Sequence, residues 1–504
     1  MTTYPNDLVD GDLADVFWPN ALKNAFLNHK QRHSATGADP LDVKDLLDVL
    51  KKCGRVSYAH IARDGTGDYN CDGDQDEVQI NQAISDAQNY DVIAFRRGQY
   101  KCLEPVVPSK PLFFLLYGAE ILNQNGAGPI IDFGADNVMV FGGKFDGQAN
   151  LVPPHSVSNS AFRVWDHKNI KLIDSEITNC EGHSIDIQGA QNLEIFGGYL
   201  HDTSQLAYGM DGICVGSGRN IKIHDTTFEN ICSTDLRGGA VEVIDTRGSA
   251  GWHTEDVFIY GNWVEHVGEF AFACCTPSDK AYEGYPRKVT IENNIIIDCG
   301  LTGAGVICNS GNEIIVAENH IHKVDWDIPK AISFEPLFAG GYHRVVEDGE
   351  ITKNVIKGTF PIGIHCLGDK DNFIRTPLTV KGNKIKEPTL GIKLEYLDGA
   401  EAVSNVVKDC LTTLLLKQMG NATVHGNKIY MKSGASYGID IEDSQHCSVK
   451  LNHLYGLGSH SGSIRETGTT SDYNIIAENV ALKCPSMSKY GTHSALRNND
   501  EWSE

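Results

Sequence analysis

Five carboxylic acids, Asp186, Asp211, Asp235, Glu242 and Glu269, fall in or just before successive copies of one short alternating segment. Ser184-Ile185-Asp186-Ile187, Gly212-Ile213-Cys214-Val215 and Ala240-Val241-Glu242-Val243 superpose; Glu269-Phe270-Ala271-Phe272, Gly305-Val306-Ile307-Cys308 and Ile332-Ser333-Phe334 continue the series. If these are strands, the flanking apolar residues point into a core and the middle residue points out. The outward column then reads Asp186, Cys214, Glu242, Ala271, Ile307, Ser333. The turn before each strand adds His183, Asp211, Asp235 with Arg237, and Glu269. Carboxyl groups gathered in this way suit glycoside hydrolysis, which needs a pair about 5–5.5 Å apart for retention or about 6.5–9.5 Å apart for inversion. Neighbouring strands are about 4.8 Å apart and next-nearest ones about 9.6 Å, so both geometries are in reach. Crowding also raises the pKa of one carboxyl, which supplies the protonated acid. The expected catalytic set is Asp211, Asp235, Glu242, Asp186 and Glu269; Arg237, His183, Trp252 and Trp326 are the expected substrate-binding residues. The competing reading makes these acids ordinary solvated positions on a strongly acidic chain. A lyase would need cations beside its base, and the central segment offers chiefly Arg237, Arg247 and Lys330.

The elements that must position these residues come from a repeat. Two or three alternating apolar residues, a polar or small pair and another apolar residue recur, as in Val138-Met139-Val140-Phe141-Gly142-Gly143-Lys144-Phe145 and Leu193-Glu194-Ile195-Phe196-Gly197-Gly198-Tyr199-Leu200. Later copies settle on asparagine at the second position of the pair: Asn294, Asn319, Asn354, Asn383, Asn405, Asn427, Asn452 and Asn479. Thirteen such markers between 143 and 479 give a mean period of 336/12 = 28 residues, with every interval between 22 and 36. That period marks a solenoid or blade array, and the alternation marks strands. The units are too short for propeller blades and lack a leucine-rich frame. The expected fold is all-β: a parallel β-helix of about 13 coils, a rod on the order of 60 Å long at strand spacing. The recurring asparagine predicts a ladder of side-chain amides between coils. The long intervals predict loops on one face.

Four segments follow. Residues 1–54 carry short helical patterns and too few apolar residues to fold alone, which suits an attachment or oligomerisation segment. Residues 55–135 read strand, acidic loop, helix, strand, then the first coils, with the helix over 77–88 capping the open core. Residues 136–485 are the solenoid and 486–504 a C-terminal tail. In the acidic loop, Asp68, Asn70, Asp72 and Gly73 match the start of a calcium loop, but Gln79 stands where a bidentate carboxylate is needed. The match is half, and a polar turn before a helix N-terminus explains it equally.

Ala62-Arg63-Asp64-Gly65-Thr66-Gly67-Asp68-Tyr69, Asp76-Glu77-Val78-Gln79-Ile80-Asn81-Gln82-Ala83-Ile84 and Gly142-Gly143-Lys144-Phe145-Asp146-Gly147 resemble the opening of the pectate-lyase-like, right-handed parallel β-helix superfamily. The resemblance covers roughly residues 55–485 and implies the fold. The reaction it leaves open among polysaccharide lyases, polygalacturonase-type hydrolases, uronate epimerases and phage tailspikes. Met210-Asp211-Gly212-Ile213 followed by Asp235 resembles the "N-T-D-G … D-D" pattern of polygalacturonase-type hydrolases, which implies Asp211 and Asp235 as acid or base. It departs at Met210 and at Leu236, and there is no "G-H-G". Arg32–Leu41 resembles an "H-x-x-G-G-x-D-P" element of phage tail and baseplate proteins, with Thr36 in place of the first glycine. This implies a virion-borne tailspike that depolymerises a cell-surface polysaccharide, assembled as a homotrimer and attached to a phage tail or baseplate through residues 1–50. A non-catalytic receptor-binding fibre and a lyase are the alternatives.

Charge narrows the partners. Lysine and arginine number 43 and aspartate and glutamate 66, a formal net charge of −23. That balance argues against nucleic acid and anionic membranes. It also disfavours polyuronate substrates unless a cation bridges them, and so ranks a hydrolase of a neutral glycan above a lyase. No apolar run reaches the length of a membrane span. The N-terminus shows no secretory pattern, so synthesis in the cytoplasm and delivery on a virion to the host surface is the expected localisation. The cysteines lack metal-site spacing and read as reduced, buried side chains.

Overall fold

The computed structural model describes residues 58–124, 128–148, 159–203, 210–232, 238–246, 253–275, 285–325, 327–339, 342–344, 346–369, 377–456, 462–484, 487–488 and 491–502. The expected segment 1–54 lies outside them, as do Asp235, Arg237, Trp252 and Trp326.

Three long parallel sheets wind around one core. One has 13 strands, from Pro129–Asp132 to Gly462–Thr467; a second has 16, from Gly98–Cys102 to Asp500–Trp502; a third has 19. The central coils each contribute a strand to every sheet and pair with the coil before and after, so this is a parallel β-helix. The expected 13 coils match the first sheet, and the second extends further at both ends. The C-terminal segment is not a tail throughout. Ala495–Arg497 and Asp500–Trp502 pair in parallel with Ile475–Ala477 and Val480–Leu482 and so extend two of the sheets by one more strand each. An antiparallel hairpin, Leu337–Ala339 with Tyr342–Arg344, interrupts the parallel pattern.

Within the core, inward side chains stack in rows. In one row Val243, Cys274, Cys308, Phe334 and Cys366 follow each other in register, so the cysteines act as small core hydrophobes. At the N-terminal end the helix Glu77–Asp86 packs beside the strands Tyr58–Ala62 and Tyr69–Asn70 and buries Ile80, Ala83 and Ile84 in the same core as Ile61, Phe95 and Phe114. Val78, which shares the apolar pattern, is 56% exposed: the helix is one-sided, and position 78 falls on its outer face.

The turn between the second and third sheets explains the polar pair of the repeat. The first residue of the pair is left-handed in coil after coil: Gly142, Asp174, Gly197, Asp225, Gly261, Asn293, Glu318, Lys353, Gly382, Ser404, Gly426, Leu451 and Glu478 all have φ between 50° and 71°. The next residue is the ladder. Asn262, Asn294, Asn319, Asn354, Asn383, Asn405, Asn427, Asn452, Asn479 and Asn499 form an unbroken chain in which each Nδ2 donates to the Oδ1 of the next at 2.9–3.1 Å. Each backbone N–H donates to that same oxygen. The expected ladder is present, and it satisfies backbone groups that a buried turn would otherwise orphan.

A second buried polar network lies on the 13-stranded sheet. His365 sits between Glu335 (Nδ1 to Oε1, 2.8 Å) and Glu395 (Nε2 to Oε2, 3.0 Å), with Lys330 on the first carboxylate and Lys393 on the second. Burial opposes all three charges, yet hydrogen bonds to His365 and the lysines bring both glutamates down to about 2, and the glutamates raise His365. The raised histidine contributes stability below its unfolded pKa and loses it as pH rises through the folded value. The lowered glutamates contribute above their unfolded pKa and lose it as pH falls towards 2. The network is therefore worth most between about pH 4.5 and 6.5. H365Q is expected to cost about 2 kcal/mol in that window. Denaturant unfolding should show the difference from wild type shrinking at pH 2 and at pH 9; a cost independent of pH would contradict the assignment.

Among the described residues, no helix is long and apolar enough to cross a membrane.

Candidate functional site

The 13-stranded sheet carries the predicted column. Its strands Ile185–Gln188, Ile213–Val215 and Gly239–Ile244 put Asp186 opposite Cys214 and Cys214 opposite Glu242. The next strand, Phe270–Cys275, differs from expectation by two residues: Glu242 faces Ala273, not Ala271. A two-residue slip keeps every side chain on its own face, so alternation cannot distinguish the two registers. Glu269 then falls beside Gly238, whose N–H it accepts at 3.3 Å.

Four of the five predicted carboxylates are described, and three of them converge. Asp211 lies just before its strand, is 1% exposed, and accepts the Gly239 N–H through Oδ1 at 2.7 Å. Its Oδ2 is buried without a hydrogen-bond partner among the described residues, 3.4 Å from His183 Nδ1. Burial, and after it the neighbouring charges of Glu242 and Glu269, hold the Asp211 carboxyl well above the ordinary range, so it carries a proton. Glu242 is half-buried beside it. Burial and the charge of Glu269 outweigh the lowering effect of Asp211 and push Glu242 up to about 7. Glu269 is half-buried as well. Glu242 and Glu269 are thus the carboxyl groups that a ligand can reach, and Asp211 is the buried partner beneath them.

Asp186 is on the same face, but both its oxygens are engaged: Oδ2 accepts from Trp165 Nε1 at 3.0 Å and Oδ1 from Gln188 Nε2 at 3.2 Å. That occupation fits support better than proton transfer. His183 is neutral. Its Nδ1 accepts the Asp211 N–H at 3.0 Å, which places the proton on Nε2, and burial pushes its pKa down. Nε2–H makes no hydrogen bond among the described residues.

For a metal, His183, Asp211 and Cys214 offer ligand atoms within 4.8 Å of one another. Burial and the nearby carboxylates hold the Cys214 thiol protonated, as they do Asp211, so a cation would have to displace two protons. At the acidic loop, Asp68 Oδ2 accepts the His60 N–H, Asn70 Oδ1 the Gly67 N–H and Asp72 Oδ1 the Asp74 N–H. Asn70 and Asp72 close local turns, and Asp68 ties the loop back to the strand Tyr58–Ala62.

Trp165 is a residue that the sequence pattern missed. It is 44% exposed on Ser160–Trp165, one strand before Asp186. Phe162-Arg163-Val164-Trp165 has the same alternation as Ile185-Asp186-Ile187-Gln188, so extending the strand alignment one copy towards the N-terminus would have found it. Of the other aromatics, Phe270 is core and Trp263 lies on the 16-stranded sheet, away from the acids.

Comparison with known proteins gives the following. The family model described as right handed beta helix region matches residues 160–330. The model described as periplasmic copper-binding protein (NosD) matches residues 338–483. No curated protein matches in sequence. Among solved structures, the tailspike protein of E. coli bacteriophage HK620, in complex with pentasaccharide, is 11% identical with a TM-score of 0.56, over 84% of this chain and 81% of that one. The A-module of Azotobacter vinelandii mannuronan C-5 epimerase AlgE4 is 13% identical with a TM-score of 0.46, over 82% and 99%. The Yersinia enterocolitica family 28 exopolygalacturonase is 11% identical with a TM-score of 0.45, over 88% and 78%.

Proposed function

On the pectate-lyase-like right-handed β-helix that this chain forms, we propose a glycoside hydrolase that depolymerises a neutral or weakly charged polysaccharide. Glu242 is the general acid that protonates the leaving oxygen. Glu269 is the partner carboxylate that activates water or attacks the anomeric carbon. Asp211 is the positioning residue that keeps a proton beside Glu242. The observation that carries this reading is the grouping of three carboxyls, two of them accessible, with Glu242 raised to about 7. Glycosidic cleavage needs two carboxyl groups, one of them a proton donor with a raised pKa. The charge of −23 disfavours polyanionic substrates. A lyase, which would need cations beside its base, is the second reading.

The HK620 tailspike, which shares the fold, is complexed with a pentasaccharide. That likeness supports placing this chain at a cell-surface polysaccharide as a tailspike-like depolymerase. Trimerisation and tail attachment through residues 1–50 are part of the same proposal.

The test is release of reducing ends from a panel of neutral bacterial O-antigen and capsular polysaccharides, with polygalacturonate as the anionic comparator. Cleavage is expected on a neutral member of the panel. The rate should fall as pH rises through about 7, because Glu242 then loses the proton it must donate. Binding to the panel without release would favour a receptor-binding fibre. Preferential attack on polygalacturonate would contradict the charge argument.

A further inference from the structure

The geometry points to Trp165 as a stacking platform for a sugar ring of the bound chain, in a subsite on the N-terminal side of the acid cluster. The indole is presented rather than buried, with 44% exposure. It is also held on two sides. The Arg163 guanidinium lies over the ring at 4.8 Å and is itself fixed by Asp132, with Nε to Oδ1 at 2.8 Å and a second bond from Nη2 to Oδ2. Asp186 holds the indole N–H at 3.0 Å. One face is therefore met by a cation, and 44% of the residue remains exposed for a ligand. A rigid, partly exposed amphipathic ring suits the apolar C–H face of a pyranose.

The support runs towards the acids. Asp186 Oδ1 is held by Gln188 Nε2, and Gln188 Oε1 accepts from Thr246 Oγ1 at 2.7 Å. Gly216 leaves the room for this: a Cβ there would meet Gln188 Nε2 at 2.1 Å. Trp165 stands opposite Gln188, and three strand steps separate its strand from that of Glu242, about 14 Å along the rod. A ligand touching both must be an oligosaccharide lying along the helix axis. Asp186 is then a positioning residue, not a catalytic one. The platform rests on the hydrolase reading only for where the cut is made.

The test uses the full chain with E242Q, which holds glycan uncut, on an array of bacterial O-antigen and capsular oligosaccharides of increasing length. W165A in that background is expected to weaken binding of long chains roughly tenfold or more, and to leave the shortest oligosaccharides unaffected. W165F should retain most of the affinity, which separates a lost ring from a lost fold. D186A should reproduce part of the W165A loss, and W165A/D186A should be no worse than W165A alone, because both changes act through one ring. Unchanged binding of long chains by W165A overturns the platform and leaves the hydrolase reading standing. If W165A weakens binding but the unaltered protein cleaves nothing, the platform stands and the hydrolase reading falls. If E242Q binds no member of the array, both are overturned.

Discussion

Replacing Glu242 with glutamine is expected to lower turnover by about 10²–10⁴-fold while leaving glycan affinity in place. Glutamine preserves the shape of the side chain but has no proton to deliver. The size of the loss follows from Glu242 being raised to about 7 by burial and by Glu269, so that the wild-type group is protonated near neutral pH. The same shift predicts the behaviour of stability. A carboxyl with a raised folded pKa stabilises at low pH and loses that contribution as pH rises through the folded value. E242Q has no such loss and should melt at or above wild type at pH 8–9. Turnover kinetics and thermal melts on one preparation check both. Loss of activity together with a lower melting temperature at pH 8–9 would assign Glu242 a structural role instead.

Breaking the asparagine ladder in its middle should give the largest loss of stability. Asn354 is fully buried. Its Oδ1 accepts from Asn319 N and Nδ2, both at 3.0 Å, and its Nδ2 donates to Val316 O at 2.9 Å and Asn383 Oδ1 at 3.0 Å. N354A strips partners from two buried donors and a buried carbonyl at once. At about 1–3 kcal/mol for each orphaned group, the expected cost is about 3–6 kcal/mol. The neighbouring K353G is the contrast. Lys353 is exposed and left-handed at φ 55°, and its ion pair with Glu318 is solvent-screened. Glycine there should change stability by no more than about 1 kcal/mol in either direction. Denaturant unfolding of the two variants measures the difference; equal midpoints would mean that the ladder contributes no more than a surface turn.

The ladder was legible in the sequence because its physics leaves a mark at a fixed place. The left-handed position tolerates many residue types, but the buried position after it needs one amide that both donates and accepts, so Asn294 to Asn479 stand out against varied neighbours. The outward column was legible for a similar reason: Asp186, Cys214 and Glu242 sit between apolar residues that must face inward. Register at Phe270–Cys275 was not, since Ala271 and Ala273 both satisfy the alternation and only strand pairing selects Ala273. Nor was the difference between Asp211 and Glu242. Both read as polar positions near a strand. Yet Asp211 is sealed beneath His183 and the Gly239 N–H, while Glu242 remains accessible, a distinction made by residues on other coils. Trp165 was missed because its strand precedes the first copy that carries an acid.

The central claim is that this face cleaves a glycosidic bond with water. It is tested most directly by mass analysis of products formed in isotope-labelled water from whichever polysaccharide of the panel, neutral or uronate-containing, the protein degrades. One labelled oxygen at each new reducing end, absent with E242Q, is the predicted result. Products with an unsaturated terminal sugar and no label would contradict it and make the protein a lyase.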